Sequence, residues 1–166
     1  MPDKTIQVNL AWRFERIFLR KANIELHEAP EVFDMKWQPN VDMNIHGRFH
    51  KLAEQRFDVS LEMKLTCKNL DKLAFELDLH QSALVIVNKD QDPDEVKRIL
   101  AVEATNALFP YTREAVDNLV LRMSLPPMML AHFNFDKVFE EGERQLKAQV
   151  GQQADRVLPS SDEVLN

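Results

Sequence analysis

Between Phe57 and Leu79 the chain alternates apolar and polar residues almost without fault, and this constrains its fold more than any other feature. Phe57, Val59, Leu61, Met63 and Leu65 share one parity, and after Asn69-Leu70-Asp71 the pattern resumes with Leu73, Phe75, Leu77 and Leu79. Strand side chains leave on opposite faces with a period of two, so each run is a strand with one buried face. The link between them is far too short for the crossover a parallel pair needs, so the strands are predicted to be antiparallel.

Val41, Met43 and Ile45 alternate in the same way up to an expected turn at Gly47. Nearer the start, Val8, Leu10, Trp12 and Phe14 share a parity that Ala22, Ile24 and Leu26 resume. That interruption predicts a long first strand with a bulge or bend between Arg16 and Lys21. His27 to Pro39 carries Pro30 and Pro39 and reads as a connection. The whole is an antiparallel meander with one face buried. Its opposite parity holds Asn23, Glu25, Asp42, Asn44, Asp58, Ser60, Glu62, Glu76 and Asp78. The outer face is therefore expected to be flat, exposed and negative, whether as a solvated face or as a docking surface.

The second half is helical. In Asp92-Pro93-Asp94-Glu95 the first carboxylate can accept from free backbone amides and the proline suits the first helical position. Val96, Ile99, Leu100, Ala104, Ala107 and Leu108 follow at helical spacing. Pro110 lacks an amide and clashes with the preceding turn, so the helix is expected to break or kink there. Leu125 to Ala131 contains two prolines and cannot be regular helix, and a last helix is expected from about Asn134. The length suits a single domain over residues 1–154, followed by a disordered tail over 155–166.

The formal charge of −6 makes the chain a poor binder of nucleic-acid backbones and of anionic membranes. Its single cysteine, Cys67, cannot close an intramolecular disulfide, which fits a reducing compartment. No signal-type apolar block precedes Trp12, and the longest clean apolar run, Ala83 to Val87, is too short to span a membrane. A cytoplasmic protein without direct membrane insertion is expected. Three glycines cannot build a phosphate loop. His46 and His50 would lie about 13 Å apart along a strand, so neither metal nor cofactor is expected. Cys67 has no predicted histidine partner, Ser160-Ser161 has no nearby base, and solvated Glu76 and Asp78 suit no acid catalyst. The chain therefore reads as a non-enzyme.

Large apolar residues also occur where the chain cannot be regular. Phe33, Met35 and Trp37 lie in one proline-bounded connection, and Leu125, Met128, Met129 and Leu130 lie in another, with Phe133 and Phe135 beyond. These segments either pack back onto the core or form an adaptable groove. Methionine fills irregular spaces and aromatic rings offer area at little rotamer cost.

Asn106-Ala107-Leu108-Phe109-Pro110-Tyr111-Thr112-Arg113-Glu114 resembles the Asn-x-Leu-Phe-Pro-Tyr-x-Arg-Glu signature of the SecB family of bacterial export chaperones. Phe133-Asn134-Phe135-Asp136 is similar to the opening of that family's last helix, and Ala29-Pro30 and Trp37-Gln38-Pro39 to its first loop. The resemblance implies an α+β fold, a four-stranded antiparallel sheet with two main helices on one side, the first of them long and broken near Pro110. It implies a homotetramer, a dimer of dimers packed through the first strand and the long helix that carries Asn106, Phe109, Pro110, Tyr111, Arg113 and Glu114. It also implies ATP-independent holding of unfolded preproteins in a groove bordered by Phe33, Met35, Trp37, Met128, Met129, Leu130 and Phe135. Delivery to the SecA motor would use an acidic face at Glu25, Glu76 and Asp78. Four features depart from the family pattern: Lys21 stands where an acid is usual, Ser82-Ala83 replaces Gly-Gly, the segment before Asn106 is one residue longer, and the tail beyond Ala154 is atypical. A chaperone dedicated to one partner such as an antitoxin, or a small-molecule-binding or enzymatic α+β domain, is the alternative.

Overall fold

A computed structural model describes residues 10–155. The chain divides after Phe133 into two compact units. The first holds a four-stranded antiparallel sheet in the order β1-β4-β3-β2, formed by β1 (Trp12–Leu26), β2 (Pro39–Ala53), β3 (Arg56–Asn69) and β4 (Lys72–Val87). It also holds a short helix α1 (Pro93–Arg98) and a long helix α2 (Ala104–Arg122). The second unit carries α3 (Phe135–Asp155), whose start is capped by the Asn134 carboxamide oxygen accepting from the Lys137 amide. The architecture is the expected α+β one. Val8 and residues 156–166 of the expected tail lie outside the described residues, and Asp155 ends α3.

The alternation predicts the core well. Val59, Leu61, Met63, Leu65 and Cys67 of β3 are buried, with Phe75, Leu77, Leu79, Ala83 and Val85 of β4. Helix α2 packs on these two central strands and adds Leu108, Phe109, Val116 and Val120. The irregularity expected in β1 is present as two register shifts, one between Phe14 and Arg16 and one between Leu19 and Lys21. They leave Glu15 and Arg20 without a direct ladder partner.

Two expectations change. No turn forms at Gly47: β2 runs through it to Ala53, and the chain reverses at Glu54-Gln55. Gly47 lies opposite Leu61, and a Cβ there would stand 3.4 Å from the Thr105 methyl, so the small residue serves a close approach of helix to sheet. Pro110 likewise lies inside α2 without ending it. Its exposed ring sits on the solvent side, while buried Leu108, Phe109 and Thr112 hold the turns around it. The departure from α geometry lies upstream, in a π turn over Ile99–Glu103. A π turn widens the helix by one residue, and it falls in the segment whose extra residue marked a departure from the family pattern.

Candidate functional site

The first apolar segment is anchored at one point and open elsewhere. Val32 is buried in a single 3-10 turn, Glu31–Asp34, while Phe33 beside it is 49% exposed. Met35 and Trp37 are half-buried. The Gln38 amide donates to the Asn69 carboxamide oxygen at 2.7 Å, which fixes the end of this loop to the β3–β4 turn.

The second segment is held differently. Leu125 is buried, and the amides of Met128 and Met129 both donate to Asp117 Oδ1 of α2, at 3.0 and 3.2 Å. Met128 and Leu130 are half-buried, and Met129 is 77% exposed with φ of 47°. A non-glycine residue in the left-handed region is uncommon and is held by its surroundings. Here one carboxylate holds the backbone while the thioether projects into solvent. The two apolar segments are thus tied to different parts of the fold, one to a strand turn and one to a helix. Phe135 begins α3, in the other unit.

The signature residues divide by role. Phe109 is buried with its ring 6.5 Å from that of His132 and 6.3 Å from that of Phe133. Tyr111, Pro110 and Glu114 are exposed, and Asn106 and Arg113 are half-buried. Tyr111 and Glu114 share an open cleft with Ala115 and Leu119 of α2 and with Ile17, Phe18 and Leu19 of β1.

Glu25, Glu76 and Asp78 do come together. Glu25 pairs directly with Glu76 across the β1–β4 ladder, and Asn23 with Asp78. Each acid on β4 has a basic neighbour: Lys21 Nζ lies 2.6 Å from Asp78, and His27 Nε2 lies 3.1 Å from Glu76. The hydrogen bond from Lys21 is the main reason the Asp78 carboxyl sits below its ordinary value, with burial opposing and the charges of Lys21, His80 and Lys64 adding to it.

The rest of the outer face is not uniformly negative. Register brings Arg13, Arg16, Arg48 and Arg56 to its other end, on the same parity as Leu84 and Ile86. Asp58 and Ser60, expected to be exposed, are buried there. Arg20, displaced by the bulge, reaches Asp58 across the sheet, and the Ser60 and Ser82 hydroxyls meet at 2.7 Å. Sequence reasoning missed this charge division because the arginines are scattered along three strands. It also missed His27 beside the acids. The Glu25-x-His27 spacing signals a shared face, but Glu76 joins them only through strand pairing. Cys67 is buried filler, and burial pushes its thiol up to about 11, away from nucleophilic use. No helix among the described residues is long and apolar enough to cross a membrane.

A family model described as "Preprotein translocase subunit SecB" matches residues 5–146. The chain is 33% identical over 149 residues to Protein-export protein SecB of Psychrobacter arcticus, covering 90% of this chain and 98% of the relative. It is 34% identical over 135 residues to the protein of that name from Pseudomonas aeruginosa PAO1, covering 81% and 82%. Among solved structures, the Mycobacterium tuberculosis Rv1957 SecB-like chaperone, in complex with a ChAD peptide from the Rv1956 HigA1 antitoxin, is similar in fold. The TM-score is 0.64 at 23% identity, over 74% of this chain and 91% of that one.

Proposed function

The chain belongs to the SecB family of chaperones, and from that premise we propose that it is an ATP-independent holdase for unfolded secretory precursors in the cytoplasm, which it passes to SecA. The observation that carries this reading is the apolar surface held open on irregular backbone. Phe33 and Met129 stand in solvent, with Trp37 and Met128 half-buried behind anchored main chain. Clients would contact Phe33, Met35, Trp37, Met128, Met129 and Leu130, whereas Phe135, expected with them, is buried at the start of α3. Each large client side chain buried would contribute about 1.5–3 kcal/mol, offset by the ordering of the client. Useful affinity then needs several sites on one client, which fits a homotetramer closed through the β1–α2 cleft.

The test is refolding of a presecretory client without nucleotide. The full chain is expected to slow it, and Trp37→Ala with Met129→Ser to weaken that effect on the order of tenfold. If excess protein leaves the refolding of several such clients unchanged, the reading fails.

One observation favours a second reading, a chaperone dedicated to a single partner. Two of the three acids at the proposed SecA face, Asp78 and Glu76, already have a neighbour in Lys21 and His27, which lowers their availability to a cationic docking partner. Affinity capture from the native cytosol separates the two, since one dominant partner supports dedication and many precursors support export.

A further inference from the structure

The cluster at the end of β1 holds more than docking acids. Glu25 and His27 are two residues apart on one face, and the His27 amide donates to the Ala74 carbonyl at 2.7 Å, so the ladder geometry continues past Leu26. Glu76 stands directly opposite Glu25. The nearest ligand atoms of Glu25, His27 and Glu76 all lie within 4.8 Å of one another. Two ligands sharing a tetrahedral metal at about 2.0–2.1 Å stand roughly 3.3 Å apart. His27 Nε2 and Glu76 Oε2, at 3.1 Å, are already at that spacing, and a side-chain rotation of Glu25 would complete the set.

Charge points the same way. Like charges directly opposed across an antiparallel pair are destabilising. Among the described residues no lysine or arginine pairs with Glu25 or Glu76, and the nearby Lys21 is engaged by Asp78. The two carboxylates oppose each other with the His27 imidazole beside them, and Lys64, which lines the same cleft, makes no ion pair with either.

We propose that Glu25, His27 and Glu76 form a binding site for a divalent transition-metal cation of the zinc class. One imidazole nitrogen with two carboxylate oxygens suits Zn²⁺, Co²⁺ or Ni²⁺ better than Mg²⁺ or Ca²⁺, which prefer oxygen throughout. The remaining coordination positions face solvent and take water or a ligand from a partner. This assignment does not depend on the export reading.

The experiment is titration of the full chain with ZnCl₂ by calorimetry and with CoCl₂ by visible absorption. One ion per chain is expected, with affinity reduced at least about tenfold by His27→Ala and by the isosteric Glu76→Gln. His50→Ala, on the same face but at the other end of the sheet, is expected to bind as the parent does. Circular dichroism checks that each variant is folded. No binding up to about 1 mM metal overturns the site, as does binding that either His27→Ala or Glu76→Gln leaves unchanged.

Discussion

Lys21 sets how much negative charge the acidic end of the sheet presents. Its ammonium holds Asp78 ionised to lower pH than an ordinary aspartate. A carboxyl whose folded value is depressed contributes stability above the unfolded value of 3.8 and loses it as the pH falls through the folded one. Lys21→Ala is expected to return the Asp78 titration towards 3.8, read by NMR of the side-chain carboxyl. In the proposed export role the same substitution is expected to strengthen SecA binding, measured by calorimetry, while client binding stays as it was. Cys67 behaves in the opposite sense. Its thiol ionises near 9.0 when unfolded and near 11 when buried, so its contribution is complete below pH 9 and declines as the pH rises towards 11. Native protein is expected to resist a thiol reagent at pH 8 that labels the urea-unfolded chain at once.

Each secondary-structure element owes its form partly to its own residues and partly to a neighbour. Asp92 accepts from the amides of Asp94 and Glu95, both at 3.0 Å, so the start of α1 is written in adjacent residues. The same holds for α3 at Asn134. The π turn is different, because its widened carbonyls need a partner. The buried Thr105 hydroxyl shares its proton between the carbonyls of Ala101 and Val102, at 2.6 and 2.9 Å. Thr105→Val, which keeps shape and removes the hydroxyl, is expected to cost about 1 kcal/mol in urea denaturation. Thr112→Val is expected to cost less, because that hydroxyl makes one long bond of 3.4 Å. Gly47 misleads as a turn signal for a related reason: its nearest neighbour beyond the strand is Thr105, which is remote in sequence. Since Gly47 has no positive φ and the extra contact is ordinary, Gly47→Ala is expected to be neutral or stabilising by up to about 1 kcal/mol.

For the molecule as a whole, the open cleft between β1 and α2 is where the proposed homotetramer would close. Leu19 at 48% and Tyr111 at 45% exposure place large apolar area in water there, and such area marks interaction surfaces. Light scattering is expected to give the mass of a tetramer, and Leu19→Asp with Tyr111→Asp a smaller species; a monomeric parent would remove the multivalent argument. The strands, the helix starts and most of the core could be read from the residue order, because alternation and capping act over a few neighbours and survive any packing. The register that opposes Glu25 to Glu76, the reach of Arg20 to Asp58, the passage of β2 through Gly47 and the survival of α2 through Pro110 could not. Each depends on which distant segment lies alongside, and that is settled only when the sheet pairs and the helix closes over it.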